Sequence, residues 1–166
     1  METIIRKNNF SIIVFLFIFL TSCDSNSIFN QYKTIANASW DANKKVDFQF
    51  TIYDTISKRN LFINLRNNKN YQFSNLFLIT ELNFPNGTKV MDTLQYEMTN
   101  AKGEFLGSGF SDIKENKLFY KESKAFPISG IYTFSVYHAM RKNGQVNGIQ
   151  HLKGVTDLGF SIEKTN

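Results

Sequence analysis

Strict alternation of apolar and polar residues recurs along most of this chain, and it restricts the fold more than any other feature. In residues 46–52, four apolar side chains alternate with three polar ones. Successive side chains of a strand point to opposite faces, so this pattern gives the segment one apolar face. The same alternation occurs in residues 61–65, 76–84, 94–98, 132–140 and 158–162, and less clearly in 118–126. These segments predict about seven short strands.

The residues between these segments are typical of turns and loops. Residues 67–70 (NNKN) and 85–87 (PNG) suit hairpin turns, because Asn and Gly tolerate a positive φ. Residues 103–109 contain three glycines and predict a loop, and 28–36 is the one window that could form a turn or two of helix. Aromatic residues, which favour pleated surfaces, make up 15% of the chain. The expected fold is all-β, a single antiparallel β-sandwich.

The order of the strands stays open between two kinds of sandwich. Gly130-Ile131-Tyr132 resembles the tyrosine corner of immunoglobulin-like domains, and Phe134 then stands where antibody domains carry their second cysteine. Trp40 could be the buried core indole of such a domain, but it precedes the first clear strand instead of lying on the third. A jelly roll fits nearly as well. The sandwich is therefore expected to be immunoglobulin-like or jelly-roll-like.

The N-terminus resembles a bacterial lipoprotein signal peptide. Arg6-Lys7 precede an apolar run of about 11 residues, which is the length of a secretory signal core and is short of the ~20 residues that span a bilayer. Leu20-Thr21-Ser22-Cys23 then resembles a lipobox. The resemblance implies cleavage before Cys23 and a diacylglyceryl group on its thiol. A short transmembrane anchor with an incidental cysteine is the alternative.

These features predict three segments in the chain. Residues 1–22 are expected to be a cleaved signal peptide, 23–38 the acylated cysteine with a tether, and 39–166 the β-sandwich domain. Acyl chains on Cys23 would anchor the protein in the cell envelope, and we expect the outer membrane, facing the periplasm. Asp24 resembles an inner-membrane retention signal of enteric bacteria, a rule that other phyla do not follow.

No motif in the sequence predicts catalysis or a cofactor. There is no nucleophile elbow, P-loop, dinucleotide fingerprint or calcium loop. The two histidines, His138 and His151, lack a paired carboxylate motif, so no metal site is expected. The net charge of +5 is spread over single basic residues among acids, whereas nucleic-acid binders concentrate their charge. We expect neither a nucleic-acid partner nor a small-molecule substrate.

Several segments together resemble the gliding-motility lipoprotein GldH family of Bacteroidota. They are Trp40, residues 60–67 (NLFINLRN), Tyr71, 74–78 (SNLFL), 92–96, 103–109, 130–134, 140–141 and 157–159. The resemblance implies an envelope lipoprotein without catalytic residues, required for gliding. It also implies that the protein works with other gliding lipoproteins and the associated type IX secretion apparatus.

Three residues of this resemblance are candidates for partner binding. Arg66, Tyr71 and Asn75 surround one predicted hairpin, and we expect this hairpin edge to contact another gliding lipoprotein or a secretion subunit. A purely structural role for some of these residues is the alternative. A second possible function is a surface glycan-binding lipoprotein, which would need aromatic rings exposed together in a groove. The rings in question are those of Trp40, Tyr71, Tyr96 and Tyr120.

Overall fold

The computed structural model describes residues 26–109 and 111–165, so the predicted signal segment and Cys23 lie outside the described residues. Ten strands account for most of this part of the chain. They are β1 (Ser27–Thr34), β2 (Ser39–Asp41), β3 (Val46–Ile52), β4 (Arg59–Asn67), β5 (Asn75–Asn83), β6 (Lys89–Glu97), β7 (Lys114–Lys124), β8 (Gly130–His138), β9 (His151–Lys153) and β10 (Val155–Lys164). All seven predicted strands are confirmed, and they overlap β3 to β8 and β10.

The strands pair first with last, as in one long hairpin that is folded over on itself. Pairing is nested, β1 with β10, β2 with β9, β3 with β8, β4 with β7 and β5 with β6. Two further pairings, β10 with β4 and β5 with β8, then complete two four-stranded sheets. Sheet 1 has the order β1-β10-β4-β7, and sheet 2 has the order β3-β8-β5-β6. This is the jelly-roll arrangement, and the immunoglobulin-like alternative is wrong.

The inner faces of the two sheets meet in an aromatic core. Phe134 of sheet 2 stacks on Phe160 of sheet 1, with ring centroids 4.1 Å apart. Each fully buried side chain of this kind stabilises the fold by about 1.5–3 kcal/mol. Trp40 is buried, as the sequence suggested, and lies in the short β2 strand. The hydroxyl of Tyr132 donates a hydrogen bond of 2.7 Å to the carbonyl of Ile128, as in a tyrosine corner, although the topology is that of a jelly roll.

Two local expectations are wrong and one is confirmed. Residues 85–87 form the hairpin turn between β5 and β6, and Gly87 has the expected positive φ of 82°. Residues 67–70 instead begin a crossing from β4 in sheet 1 to β5 in sheet 2. Residues 28–36 are mostly strand β1 and not helix. The alternation of a segment shows its buried face, but it does not show which strand it pairs with.

The folded part of the chain begins earlier than the expected boundary at residue 39. Strand β1 pairs with β10 along Ser27–Thr34, within the segment that was expected to be tether. β1 is an edge strand with a bulge between Ser27 and Phe29, and only three of its eight positions are partly covered. These features weaken the alternation that marks the other strands. None of the described helical segments is long and apolar enough to cross a membrane.

The strand registers define two ends of the sandwich. Ser27 pairs with Glu163, Lys164 with Arg59, and Arg59 with Lys124, so β1 begins beside the start of β4 and the end of β7. We call this the N-terminal end, and it carries loops 53–58, 84–88 and 125–129. The opposite, distal end carries loops 35–38, 42–45, 68–74, 139–150 and the described residues of the β6–β7 connection, 98–109 and 111–113.

Candidate functional site

Arg66 lies on the outer face of sheet 1 near the distal end. The register places Thr34, Asp157, Arg66 and Glu115 in one row across β1, β10, β4 and β7. We call these four residues and Tyr32 the Arg66 cluster. Its members come from four strands that lie far apart in the sequence, and the pairing of these strands brings them together.

The guanidinium group of Arg66 is held on two sides. It lies 4.3 Å from the centre of the Tyr32 ring, a cation–π distance. Its Nε donates a 3.0 Å hydrogen bond to Glu115, whose other carboxylate oxygen accepts a 2.7 Å hydrogen bond from the Tyr32 hydroxyl. Both oxygens of Glu115 are therefore used to fix the two neighbours. The Arg66 side chain is still 37% exposed, so its position is fixed but it remains accessible.

A glycine in β10 provides the space for this arrangement. A Cβ atom at Gly159 would lie 2.8 Å from two ring carbons of Tyr32, so any larger residue would push the ring away from the sheet. Thr34 donates a 2.9 Å hydrogen bond to Asp157 at the same end of β1. Asp157 adds a second carboxylate beside Arg66, so the cluster presents both signs of charge.

Protonation states stabilise the cluster at neutral pH. The hydrogen bond from Tyr32, followed by that from Arg66, lowers the pKa of Glu115 below its usual value. Burial and the hydrogen bond to Glu115 raise the pKa of the Tyr32 phenol. The hydrogen bond to Glu115 likewise raises the pKa of Arg66. The carboxylate is therefore charged and the phenol is protonated, which is the pairing that the geometry requires.

Tyr71 is part of the core and not of the surface. Its ring is buried at 3% exposure, and its hydroxyl donates a 2.7 Å hydrogen bond to the backbone carbonyl of Asn75. A Cβ atom at Gly154, where φ is +90°, would lie 2.1 Å from the Tyr71 nitrogen. Tyr71 thus closes loop 68–74 against the sandwich. A partner cannot reach its ring in this fold, and its expected role as a contact residue becomes a role in positioning Asn75.

Asn75, the third predicted residue, lies in a groove of about 980 Å³ at the distal end. The groove runs between the start of β5 and loop 139–150, and its volume is in the range typical of ligand sites. Its apolar lining consists of Phe73, Phe77, Met140, Val146 and Ile149. The side chain of Val146 is 90% exposed at the rim. The lining also includes polar side chains and the basic residues Arg141 and Lys142, so the groove has mixed polarity.

His138 lies in the wall of this groove, but both of its ring nitrogens are engaged. Nε2 is 3.0 Å from the Trp40 carbonyl, which can only accept, so Nε2 carries the proton. Nδ1 accepts a long hydrogen bond of 3.5 Å from the Met140 amide. Burial lowers the pKa of His138, which keeps the ring neutral. His151 is exposed in β9, and the described residues contain no group of three side chains that could hold a metal ion.

The four aromatic rings proposed for glycan binding do not form an exposed platform. Trp40, Tyr71 and Tyr120 are buried. Tyr96 is half-buried, and its hydroxyl donates a 2.8 Å hydrogen bond to the Phe119 carbonyl. Sequence reasoning also missed Tyr32 and Glu115, because the pairings that bring them to Arg66 are not visible as a local pattern.

The first comparison is with solved structures, and the likeness found there is weak. Among solved structures, VP2 of infectious bursal disease virus aligns with 86% of this chain at 13% identity and a TM-score of 0.34. The chain spans about a third of the length of VP2 (34%), and this weak likeness supports no conclusion.

Two curated relatives match almost the full chain. The "Gliding motility lipoprotein GldH homolog" of Christiangramia forsetii is 48% identical over 96% of this chain and 99% of its own length. The "Gliding motility lipoprotein GldH" of Flavobacterium johnsoniae is 43% identical over 96% of this chain and 98% of its own length. The family model described as GldH lipoprotein matches residues 27–162, which include all ten strands almost completely. The chain therefore belongs to the GldH lipoprotein family.

Proposed function

We propose that this protein is a non-enzymatic lipoprotein of the gliding machinery, which binds another component of that machinery through its distal end. The names of the two relatives support the link to gliding motility. The lipobox-like residues 20–23 support acylation of Cys23. The observation that carries the proposal is the Arg66 cluster, an exposed guanidinium fixed in place far from the N-terminal end.

A fixed arginine is well suited to an interface. Arginine is among the residues that contribute most to binding energy at protein interfaces. Ordering a long side chain on binding costs free energy, and Tyr32 and Glu115 hold the Arg66 side chain in place before any partner arrives. The partner would offer an acceptor such as a carboxylate to the exposed edge of the guanidinium.

The groove provides the second part of the proposed surface. β4, which carries Arg66, ends at Asn67, and β5 begins at Asn75 in the groove. Along the chain, only loop 68–74 separates these two strands. The apolar lining beside Asn75 would accept an apolar side chain of the partner. Another gliding lipoprotein or a type IX secretion subunit is the proposed partner, and an outer-membrane anchor facing the periplasm would place the surface where such subunits meet.

The anchor can be tested separately from the surface. The change Cys23→Ser should leave the signal segment uncleaved by the lipoprotein pathway and remove the acyl chains. We expect a shift in the mass of the mature protein and a loss of its envelope retention, measured by membrane fractionation. Unchanged processing and retention in this variant would contradict acylation at Cys23. Separation of inner and outer membranes on a density gradient tests the choice of membrane.

The surface is tested by Arg66→Ala with a closely matched control, Lys121→Ala. Lys121 also lies on sheet 1, is 38% exposed, forms a 3.0 Å ion pair with Asp92 and lies 5.2 Å from the centre of the Tyr120 ring. It belongs to the N-terminal half of the sheet, where it pairs with Leu61. The two substitutions therefore remove similar local interactions from different ends.

We expect Arg66→Ala to lose crosslinked partners in pull-downs from native membranes and to reduce colony spreading. Lys121→Ala should retain both, and both variants should accumulate to the level of the unaltered protein. If Arg66→Ala is stably folded and still co-purifies the same partners, the proposed surface is wrong.

A further inference from the structure

The anchor residue is very close to the folded domain. Cys23 precedes Asn26, the first described residue, by only three positions. Three residues in a fully extended chain span about 10 Å at most. Hydrogen bonding ties Asn26 to the sheet directly, because its carbonyl accepts a 3.0 Å hydrogen bond from the amide of Lys164. If Cys23 is acylated, the N-terminal end of the sandwich must lie within about this distance of the lipid.

This same end presents unusually exposed apolar side chains. Tyr53 is 86% exposed and Ile56 is 87% exposed, and both lie in loop 53–58. Ile131 in β8 is 56% exposed, and Ile28 in β1 is 44% exposed. Ile131 pairs with Thr51, one position before the end of β3, and Ile28 is the second residue of β1. Apolar side chains from two strands and a loop thus lie at the end of the sandwich from which the chain leaves toward Cys23.

Loop 53–58 holds its apolar side chains outward in a fixed conformation. The Asp54 carboxylate accepts hydrogen bonds from the amides of Ile56 and Ser57, at 2.9 and 3.1 Å. The buried Arg59 guanidinium donates to the carbonyls of Asp54 and Ser57 and pairs with the Asp54 carboxylate at 3.1 Å. The hydrogen bond from the Ser57 side chain, followed by those from the Ser57 and Ile56 amides, lowers the pKa of Asp54, so this carboxylate is charged at neutral pH. These contacts hold the backbone of the loop in the conformation in which Tyr53 and Ile56 are exposed.

The charges at this end also suit a lipid surface. Lys58, Lys124 and Lys164 are exposed there. The acids of the same region are Asp54 and Glu163, which Arg59 and Lys117 engage, and the exposed Glu122. Asp24 adds a fourth acid in the sequence between Cys23 and Asn26. Three exposed lysines therefore lie beside the chain exit, while Asp54 and Glu163 are already engaged by other cations. Basic residues next to a membrane anchor are attracted to anionic headgroups, and tyrosine favours the interface between headgroups and acyl chains.

We propose that the N-terminal end rests on the bilayer that holds the acyl chains, with Tyr53 and Ile56 in the headgroup region. The inference deepens the proposed function and rests on it only for acylation of Cys23. The strands then stand away from the membrane. The eight residues of β1 span about 26 Å, and its last residue, Thr34, lies in the row that contains Arg66. The contact holds the Arg66 cluster roughly that far above the lipid, on the outer face of sheet 1.

Depth-dependent quenching in vesicles tests this orientation. Cys23 is the one cysteine of the sequence and its thiol is consumed by acylation, so an introduced cysteine can be labelled alone. The acylated protein carrying Ile56→Cys, labelled with bimane, is reconstituted into phosphatidylethanolamine and phosphatidylglycerol vesicles that contain headgroup nitroxide lipids. Val146→Cys is the matched control, since Val146 is 90% exposed but lies at the distal end. Both positions are exposed loop residues, so neither change disturbs the strands.

We expect quenching at residue 56 to exceed quenching at residue 146 at least fivefold. Equal quenching at the two positions, or stronger quenching at residue 146, would overturn the orientation. In a second test the bimane is attached to the Lys58→Cys variant. The double substitution Tyr53→Ser and Ile56→Ser should reduce quenching of this bimane by twofold or more. Val146→Ser should leave the same quenching unchanged.

The two hypotheses fail in different ways in this experiment. The mass of the purified chain reports whether Cys23 carries acyl groups. A chain without acyl groups contradicts the anchor and, with it, the orientation. An acylated chain whose residue 56 is not quenched contradicts the orientation alone and leaves the proposed function standing.

Discussion

The carboxylate of Glu81 allows a quantitative test of the electrostatics of sheet 2. Glu81 lies on the outer face of β5, and its side chain is only 9% exposed because Lys45 and Lys89 cover it. These lysines approach its two oxygens to 2.7 and 2.8 Å, and Asn83 donates a further hydrogen bond of 3.1 Å. The change Glu81→Gln keeps the shape of the side chain but removes the charge that all three neighbours use.

The magnitude follows from the pKa of this group. The hydrogen bonds from Lys45, Lys89 and Asn83, named in order of size, lower the pKa of Glu81 from 4.5 to about 2. Such a difference corresponds to about 3 kcal/mol of interaction with the charged form. The lysine side chains are 45% and 50% exposed, so solvent screening reduces the contribution to about 1–2 kcal/mol. We expect Glu81→Gln to lower the free energy of unfolding by that amount at pH 7.

The sign of the pH dependence is fixed by the same shift. The folded pKa is lower than the unfolded one, so the stabilisation is complete above about pH 4.5 and is lost as the pH falls toward about 2. At pH 3 less than half of it should remain. Wild type and variant should therefore differ clearly at pH 7 and much less at pH 3.

Urea unfolding of an unacylated chain that begins at Asp24 measures this difference. All ten strands lie between Ser27 and Lys164, and the one tryptophan, Trp40, is buried and reports unfolding by fluorescence. Glu97→Gln, at an exposed position of the neighbouring β6, is the control and should change stability by less than about 0.5 kcal/mol. A Glu81→Gln effect below about 0.5 kcal/mol at pH 7, or an equal effect at pH 3, would refute the reasoning.

Three further changes test other parts of the structure. In thermal unfolding, Gly154→Ala should destabilise the fold by about 3 kcal/mol or more, because the new methyl group would clash with the backbone of Asn70 and Tyr71. Gly144→Ala is the control, and it should cost about 1 kcal/mol because Gly144 has a φ of +76° but open space around it. Burial lowers the pKa of His138, so stability should fall as the pH drops below about 6.5, and His138→Gln should flatten this part of a pH–stability profile. Tyr32→Phe removes the hydrogen bond to Glu115 and should cost about 1 kcal/mol in urea unfolding; no measurable loss would show that the hydroxyl does not hold the cluster together.

Six of the seven strands that the sequence predicted have one buried face, and the exception, β6, is an edge strand whose alternate residues are only partly buried. In β3 every second residue is buried, and the alternation is correspondingly regular. β1 was missed because an edge strand with a bulge buries little, and β2 and β9 were missed because they are only three residues long. Burial strengthens the local pattern, so strands that are short or that bury little, such as β1, β2 and β9, are easily missed in the sequence.

The candidate site shows a similar limit. Arg66 and Asn75 were predicted from their positions in a family-like pattern, and both lie at the distal end, in the cluster and in the groove. Tyr71 came from the same pattern but lies in the core. Local sequence does not distinguish a tyrosine that closes a loop from one that faces a partner, because both follow a turn and precede a strand.

The sequence by itself determined the all-β class, the turn at residues 85–87 and the membership of a lipoprotein family. These properties depend on local periodicity, on turn chemistry and on motifs, which neighbouring residues encode. Only the tertiary structure decided between the immunoglobulin-like and the jelly-roll sandwich. It also brought Tyr32 and Glu115, which are 83 positions apart in the sequence, together at Arg66. Strand partners are chosen by how two apolar faces bury each other, and that choice depends on the whole chain at once.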